Sequence, residues 1–351
     1  AKRPFQNAFA TAGERKMQKN IMRLYYIGNG FDLKHRMKTS YLDFKSYLKE
    51  NERNLYYRFI DMYRILDYED LAEIEDPYIS YDVDGTEEDI FWSEFENNLA
   101  YISMDYIWDV VSLNESEFDS IGKQYDPEWR KDELRKKLEL YSELQLAFQN
   151  WAEIIDQQEI NEKFSKPIEF FKYDKKCTSY KHDGEGSDYF IVFNYTHTLE
   201  NVYKVLSEYI FRPHGAAGRK ELAPQFGHGN TKKIKEIDEL LDNVSDEYEK
   251  TAYEWTKEYL QKMKKGVNYF VQDVKSFLQS NNVYPEKICV IGMSMGEVDI
   301  PYLSQAHKLY PGVEWIVSYH KNEKGEDERK KFKRILLGLG IEESRIRFRE
   351  I

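Results

Sequence analysis

Cysteine is scarce: the 351-residue chain has two, Cys177 and Cys289. Two cysteines supply neither a disulfide framework nor the ligand spacing of a zinc site. The reducing cytoplasm is the expected compartment. Long apolar runs are also missing, and none approaches the ~20 residues that span a bilayer. The N-terminal stretch AKRPFQNAFATAGERKMQKN has no apolar core segment, so it does not read as a secretory signal. Residues 1–21 are read as an extension ahead of the fold. Basic residues are outnumbered, 51 Lys and Arg against 63 Asp and Glu, for a net charge of −12. That balance disfavours general nucleic-acid binding, which needs phosphate neutralisation. No G-K-[ST] follows a glycine-rich turn, which disfavours nucleotide hydrolysis by a Walker mechanism. Neither an internal repeat nor a low-complexity tract is visible.

What remains is a globular composition, 41% hydrophobic and 32% charged. The length allows one large domain or two modest ones. Aromatics reach 15%, with 28 Tyr and 20 Phe. Many Tyr rings are expected half-buried, with their hydroxyls wet.

Short apolar segments mark strands at Leu24–Ile27, Tyr189–Phe193, Tyr209–Arg212, Ile288–Ile291, Val313–Ser318 and Ile346–Phe348. Runs such as ICVIG, apolar on both faces, are those of buried parallel strands. Helical patterns fall between them. Ser40 and Asp43 form a capping pair ahead of FKSYLKE. Asp89–Val111 has helical spacing, and Pro127 suits the first turn of a long helix reaching Ile155. Ser245–Ser280 is a further helical stretch that Gly266 interrupts, and Asp327–Leu337 is the last. The order predicts an α/β doubly wound, mostly parallel, Rossmann-like sheet with a large helical insertion after the first strand. The core would comprise residues 22–50 and 189–351, and the insertion 51–188. DGEGSD, Asp183–Asp188, reads as a linker out of it.

In such sheets ligands bind at the carboxyl ends of the strands, and four segments end there. Gly28-Asn29-Gly30, followed by Phe31 and Asp32, is a glycine turn whose backbone N–H groups suit a phosphate. Leu33 stands where G-x-G-x-x-G wants a third glycine, and an ordinary tight turn is the plain alternative. Asn194 follows the second strand, with a donor and an acceptor suited to ribose hydroxyls or a water. A helix cap would be an equally good use of it. His214 ends the next strand, where it could serve as a general base or bond locally. His228, between two glycines, is a second loop candidate.

The fourth segment, Gly292-Met293-Ser294-Met295-Gly296, fits the G-x-S-x-G nucleophile elbow. An elbow needs a later acid and then a histidine. Only His307, on a presumed helix, and His320, after the next strand, follow Ser294. Pro301 moves the next helix start to Asp299 or Ile300, away from the serine. A serine hydrolase is therefore the weaker reading. Ser294 is expected to face a nucleotide, and Asp299 to cap the helix.

Taken in order, YYIGNGFDLKHRMKTSYLDF (25–44), FWSEFENNLA (91–100), FNYTHTLENVY (193–203), PHG (213–215) and GMSMGEVDIPYL (292–303) resemble the AbiH family of phage abortive-infection proteins. The resemblance implies a bacterial cytoplasmic protein with a defence role. A more distant similarity is to sirtuin-type NAD-binding proteins, with Gly28 and Gly30, Asn194, His214, and Gly292 and Ser294 as counterparts. Two positions depart from that pattern: Asn29 replaces a small residue, and Thr196 stands for the acid of Asn-x-Asp. The four-cysteine zinc site of the deacetylases is excluded.

This likeness implies hydrolysis of NAD, or a related nucleotide, at the ribosyl bond. Asn194 would position water or the ribose diol, and His214 would be the base. Gly28, Asn29, Gly30, Phe31, Asp32, Thr196, His197, Gly292, Ser294 and Asp299 would hold the nucleotide, with no metal. A non-catalytic nucleotide sensor or an interaction protein is the alternative. The expected partners are the nucleotide and a homo-oligomer or phage-derived trigger, with no membrane.

Overall fold

The computed structural model describes residues 22–65, 91–111, 140–158, 188–219, 223–321 and 327–351. Strand β1 (Arg23–Ile27) is followed by helices α1 (Gly30–Lys34), α2 (Tyr41–Asn51), α3 (Arg53–Tyr63), α4 (Phe95–Asn98), α5 (Met104–Val111) and α6 (Leu140–Asp156). Then come β2 (Tyr189–Val192), α7 (Thr198–Tyr203), β3 (Ile210–Phe211), α8 (Thr231–Leu241), α9 (Glu247–Lys262) and α10 (Val267–Ser280). The chain closes with β4 (Lys287–Ile291), α11 (Ile300–Leu309), β5 (Glu314–Tyr319), α12 (Arg329–Gly338) and β6 (Ile346–Glu350).

The six strands form one sheet in the order β3-β2-β1-β4-β5-β6. Every pair is parallel, including Leu24 beside Tyr189 on one side and Ile288 on the other. This is the expected doubly wound α/β sheet. The strand order reverses between β1 and β4, which makes the carboxyl ends of these two strands the switch-point crevice.

Alternation along the strands divides the sheet core in two. Leu24, Tyr26, Ile191, Ile288, Val290, Trp315 and Val317 pack on one face. Tyr25, Ile27, Phe190, Val192, Cys289, Ile291 and Ile316 pack on the other. A third core is helical and aromatic. Phe44, Phe59, Trp92, Phe95 and Phe148 meet there, and Trp92 stacks on Phe95 with ring centroids 5.2 Å apart. Helices α8 and α9, which lie outside the insertion in sequence, give Ile237, Trp255 and Tyr259 to this same core.

The helical stretches follow their sequence pattern with one exception. Ser40 and Asp43 form the expected reciprocal capping box at the start of α2. The Asp89–Val111 stretch is instead broken, with Tyr101–Ser103 outside any helix, and Ser103 Oγ accepts from Tyr106 N at 3.4 Å where α5 restarts. Of the helix expected from Pro127, the described part is α6; residues 127–139 lie outside the described residues. The expected interruption at Gly266 is real and spans residues 263–266. There the backbone turns aside to bond His228: His228 N donates to Met263 O (3.0 Å) and Lys265 N to His228 O (2.9 Å). Glycine is required at position 227, because a Cβ there would lie 2.4 Å from Met263 O. Asp188, the end of the expected linker, accepts from Arg23 N at 2.9 Å. Residues 183–187 and the extension at 1–21 are outside the described residues.

Candidate functional site

The turns after β1 and β4 touch backbone to backbone. Gly28 N donates to Ile291 O and Gly30 N to Gly292 O, each at 2.8 Å. Gly292 sits at φ +64, and a Cβ on it would lie 2.3 Å from Phe31 N. Side chains are thus excluded here for the close approach of two loops. It follows that the N–H groups of Gly28 and Gly30 are already engaged, contrary to their expected role on a pyrophosphate. Phe31 N also bonds within the turn, to Gly28 O.

Beside this crossing, α1 carries Asp32, which is 1% exposed. Its two carboxylate oxygens accept the hydroxyls of Thr196 (2.6 Å) and Thr198 (2.7 Å) from the loop after β2. Burial raises the Asp32 pKa from its ordinary value, and those two hydroxyls oppose the rise. Asn194 lies between β2 and these threonines, also buried. Neither its Oδ1 nor its Nδ2 has a partner of hydrogen-bonding geometry among the described residues. The amide is close enough to Asp32 to favour its charged form. Its alternative use as a helix cap is not realised, since α7 begins after His197.

His214, past β3, is buried against Phe193, Phe270 and Tyr302. Its Nε2 shares a hydrogen bond with the Tyr302 hydroxyl at 2.9 Å. Burial, with Lys265 as the nearby positive charge, holds the imidazole pKa well below its ordinary 6.5. His214 is therefore neutral at neutral pH, but a proton affinity so far below the working pH makes it a weak base.

The turn after β4 carries exposed Ser294 and half-buried Asp299. Asp299 occupies the N-cap position of α11 but makes no capping bond. Its Oδ2 instead accepts from Gly296 N at 3.1 Å, and the Ser294 hydroxyl also bonds it. Burial, reinforced by Glu96, pushes the Asp299 carboxyl up to about 6, against the pull of Lys265 and these two donors. An elbow serine needs a strained turn centred on itself and a helix directly behind. Here positive φ falls on Gly292 and Met295, not on Ser294, and α11 starts only at Ile300.

All these segments border one cavity of about 650 Å³, within the range typical of small-molecule sites. Helices α4 and α6 of the insertion border it on one side. Glu96 of α4 enters the cavity and pairs with Lys265 at 2.7 Å, with the lysine side chain only 2% exposed. Trp151 and Ile155 of α6 add an apolar wall.

The sequence profile described as "Bacteriophage abortive infection AbiH" matches residues 24–319, most of the chain. The chain belongs to the AbiH family. No curated protein and no solved structure matches it.

In this AbiH protein the cavity brings together Gly28, Asn29, Gly30, Asp32, Asn194, Thr196, His214, Gly292, Ser294 and Asp299 as expected. Two expected ligand contacts are elsewhere. Phe31 is a core residue, packed on His35 and Tyr203. His197 faces α6, where Nδ1 lies 2.7 Å from Asp156 Oδ2 and its backbone N donates to Oδ1 at 2.6 Å. His228 is a structural tie rather than a loop catalyst. It is fully buried, accepts Asn230 N on Nδ1 and bonds Leu260 O through Nε2. His307 packs near Gly340 and does not line the cavity. Sequence reasoning missed Glu96 and Lys265, which are 169 positions apart and meet only through the helical lobe. It also missed His320, exposed at the cavity mouth. Glu96 falls inside FWSEFENNLA, a block already prominent in the family resemblance, but nothing in its local pattern aims it inward.

Proposed function

We propose that this cavity binds a nucleotide and hydrolyses NAD, or a related nucleotide, at the ribosyl bond, as the biochemical arm of a phage abortive-infection protein. The observation that carries this reading is Asn194. A buried amide that has no hydrogen bond of good geometry among the described residues, and acts only on the nearby Asp32 carboxylate, is costly, and native proteins retain such groups for a reason. A ribose diol would satisfy both: Oδ1 accepts one hydroxyl and Nδ2 donates to the other. Its place at the switch-point crevice favours a nucleotide, and the sirtuin-like order of Asn194, His214 and Ser294 around one cavity favours NAD. Asp32, hydrogen-bonded to Thr196, supplies the carboxylate that Thr196 itself lacks.

Among the described residues that border the cavity, exposed Lys34 is a cation available to phosphates, whereas Lys265 is paired with Glu96. His214 enters as a neutral hydrogen-bonding group. A non-catalytic nucleotide sensor is the second reading, favoured by the depressed basicity of His214 and the engaged N–H groups of Gly28 and Gly30.

Calorimetry with NAD, ADP-ribose and ATP, followed by chromatography of NAD incubated with the protein with and without phage lysate, tests both. Binding with release of nicotinamide supports hydrolysis. Binding without turnover supports the sensor. If none of the three nucleotides binds, both readings fail.

A further inference from the structure

We propose that Asp299 is the proton acceptor of this cavity, and that Glu96 and Lys265 are the positioning pair that sets its charge. The helical insertion would thereby complete the site. In its chemistry the proposal rests on the ribosyl-bond reading.

The three residues reach one cavity from separate elements. Glu96 comes from α4, Lys265 from the break between α9 and α10, and Asp299 from the foot of α11. His320 and Glu328 also border the cavity but are exposed to solvent, and comparison of its enclosed candidate bases leads to Asp299. Asp32 has both oxygens taken by threonine hydroxyls. His214 has Nε2 taken by Tyr302 and its ring enclosed by aromatics. Glu96 is held by Lys265. Among the described residues, Asp299 accepts from Gly296 N and Ser294, leaving some of a carboxylate's roughly four lone-pair sites for a water.

Its proton affinity suits the task, since a carboxyl titrating near 6 is an efficient base near neutral pH. The charged and titratable groups acting on it are Glu96, which raises that value, and Lys265, which lowers it. Tyr302 feels its charge in turn and stays protonated.

The step balances without a metal or oxidant. A water O–H bond breaks and its proton passes to Asp299. The water oxygen bonds the anomeric carbon. The carbon–nitrogen bond breaks and its electron pair leaves with nicotinamide, which departs neutral from its pyridinium form. Asp299 then releases the proton to solvent.

Carbon-13 NMR of the full chain labelled at aspartate carboxyls, assigned with Asp299→Asn, reads the acceptor directly. The expected midpoint is near 6. Glu96→Gln removes a neighbouring negative charge and should lower it by up to about one unit. Ser294→Ala changes an exposed side chain, so folding is not at issue, and loss of its hydrogen bond should raise the midpoint. With NAD as substrate, Asp299→Asn should cut kcat by roughly 10²-fold or more with KM little changed. Glu96→Gln should move the acid limb of the pH profile downward.

An Asp299 midpoint in the ordinary carboxylate range, a midpoint unmoved by Glu96→Gln, or wild-type turnover in Asp299→Asn would each overturn the proposal. NAD left intact by a protein whose Asp299 titrates as expected would instead sink the ribosyl-bond reading and support Asp299 as acceptor for another substrate.

Discussion

Gly30 N and Gly292 O meet at 2.8 Å, so the loops that end β1 and β4 cross with no side chain between them. This bond, with that of Gly28 N to Ile291 O, builds the crevice and removes two N–H groups from it. The glycine turn is thus a packing device first, and the polar groups that remain open to the cavity are the side chains around it.

Substitution at this crossing should be costly. Gly292→Ala places a Cβ 2.3 Å from Phe31 N on a backbone at φ +64. Clash and strained φ together predict a loss of roughly 2 kcal/mol or more in unfolding free energy. Gly338→Ala is the control, since a Cβ there meets nothing within 4 Å and its φ is not positive. It should be neutral or stabilise by about 0.4–1 kcal/mol. Urea denaturation of the two variants would decide, and equal midpoints would refute the close-packed crossing.

Asn194→Leu should separate function from stability. The replacement removes two buried polar atoms that make no hydrogen bond of good geometry among the described residues, each worth about 1–3 kcal/mol when left unsatisfied, at the cost of a weaker contact with Asp32. The unliganded protein should therefore melt at the same temperature as wild type or higher. Any thermal stabilisation by NAD should vanish. A large drop in the melting temperature without ligand would mean that Asn194 is structural.

The Glu96–Lys265 pair gives the opposite signature. Lys265→Met leaves a largely buried carboxylate alone and should cost about 3–5 kcal/mol. Adding Glu96→Leu should restore much of that loss, because replacing both partners of a buried pair is often neutral. A double-mutant cycle by chemical denaturation measures the coupling. Additive losses would show that the two side chains do not depend on each other.

Much of the fold was legible from the sequence because parallel strands buried on both faces leave unmistakable apolar runs, as in ICVIG around Cys289. The order of the four cavity-facing segments was legible for the same reason. Side-chain direction was not. Phe31 in α1 and His197 ahead of α7 follow the ends of β1 and β2, yet one turns into the core and the other toward Asp156. Cavity-facing position is a property of the backbone, whereas each contact depends on rotamer and neighbour. Glu96 and Lys265 were invisible because their pairing is set by how the helical lobe packs over the sheet, a long-range outcome that local periodicity does not carry. The broken helix at 263–266 shows the same limit: Gly266 signals an interruption, but not that the break delivers Lys265 to the cavity.

The pH dependence of stability should come from two opposed sets of groups. His214 has a folded-state pKa well below 6.5, and His228 is lowered to about 4 by burial. For these the unfolded chain binds protons more readily, so stability falls as pH drops below 6.5. Asp299 is raised from 3.8 to about 6, so there the folded chain binds the proton more readily. Its contribution runs the other way: stability is gained as pH falls from about 6 toward 4, and the burial cost of the charge is present above 6. The trends offset one another between pH 6 and 4. Asp299→Asn removes the carboxyl while keeping an acceptor for Gly296 N. It should raise stability at pH 7 by up to about 3 kcal/mol, at 1.36 kcal/mol for each pKa unit. It should also steepen the fall below pH 6.5, as the histidine terms lose part of their counterweight; Asp188, likewise raised to about 6 by burial, and the buried Asp32 keep the rest. Melting temperatures of the wild type and Asp299→Asn from pH 4 to 8 provide the check. Parallel curves across that range would mean that Asp299 titrates as an ordinary surface carboxylate.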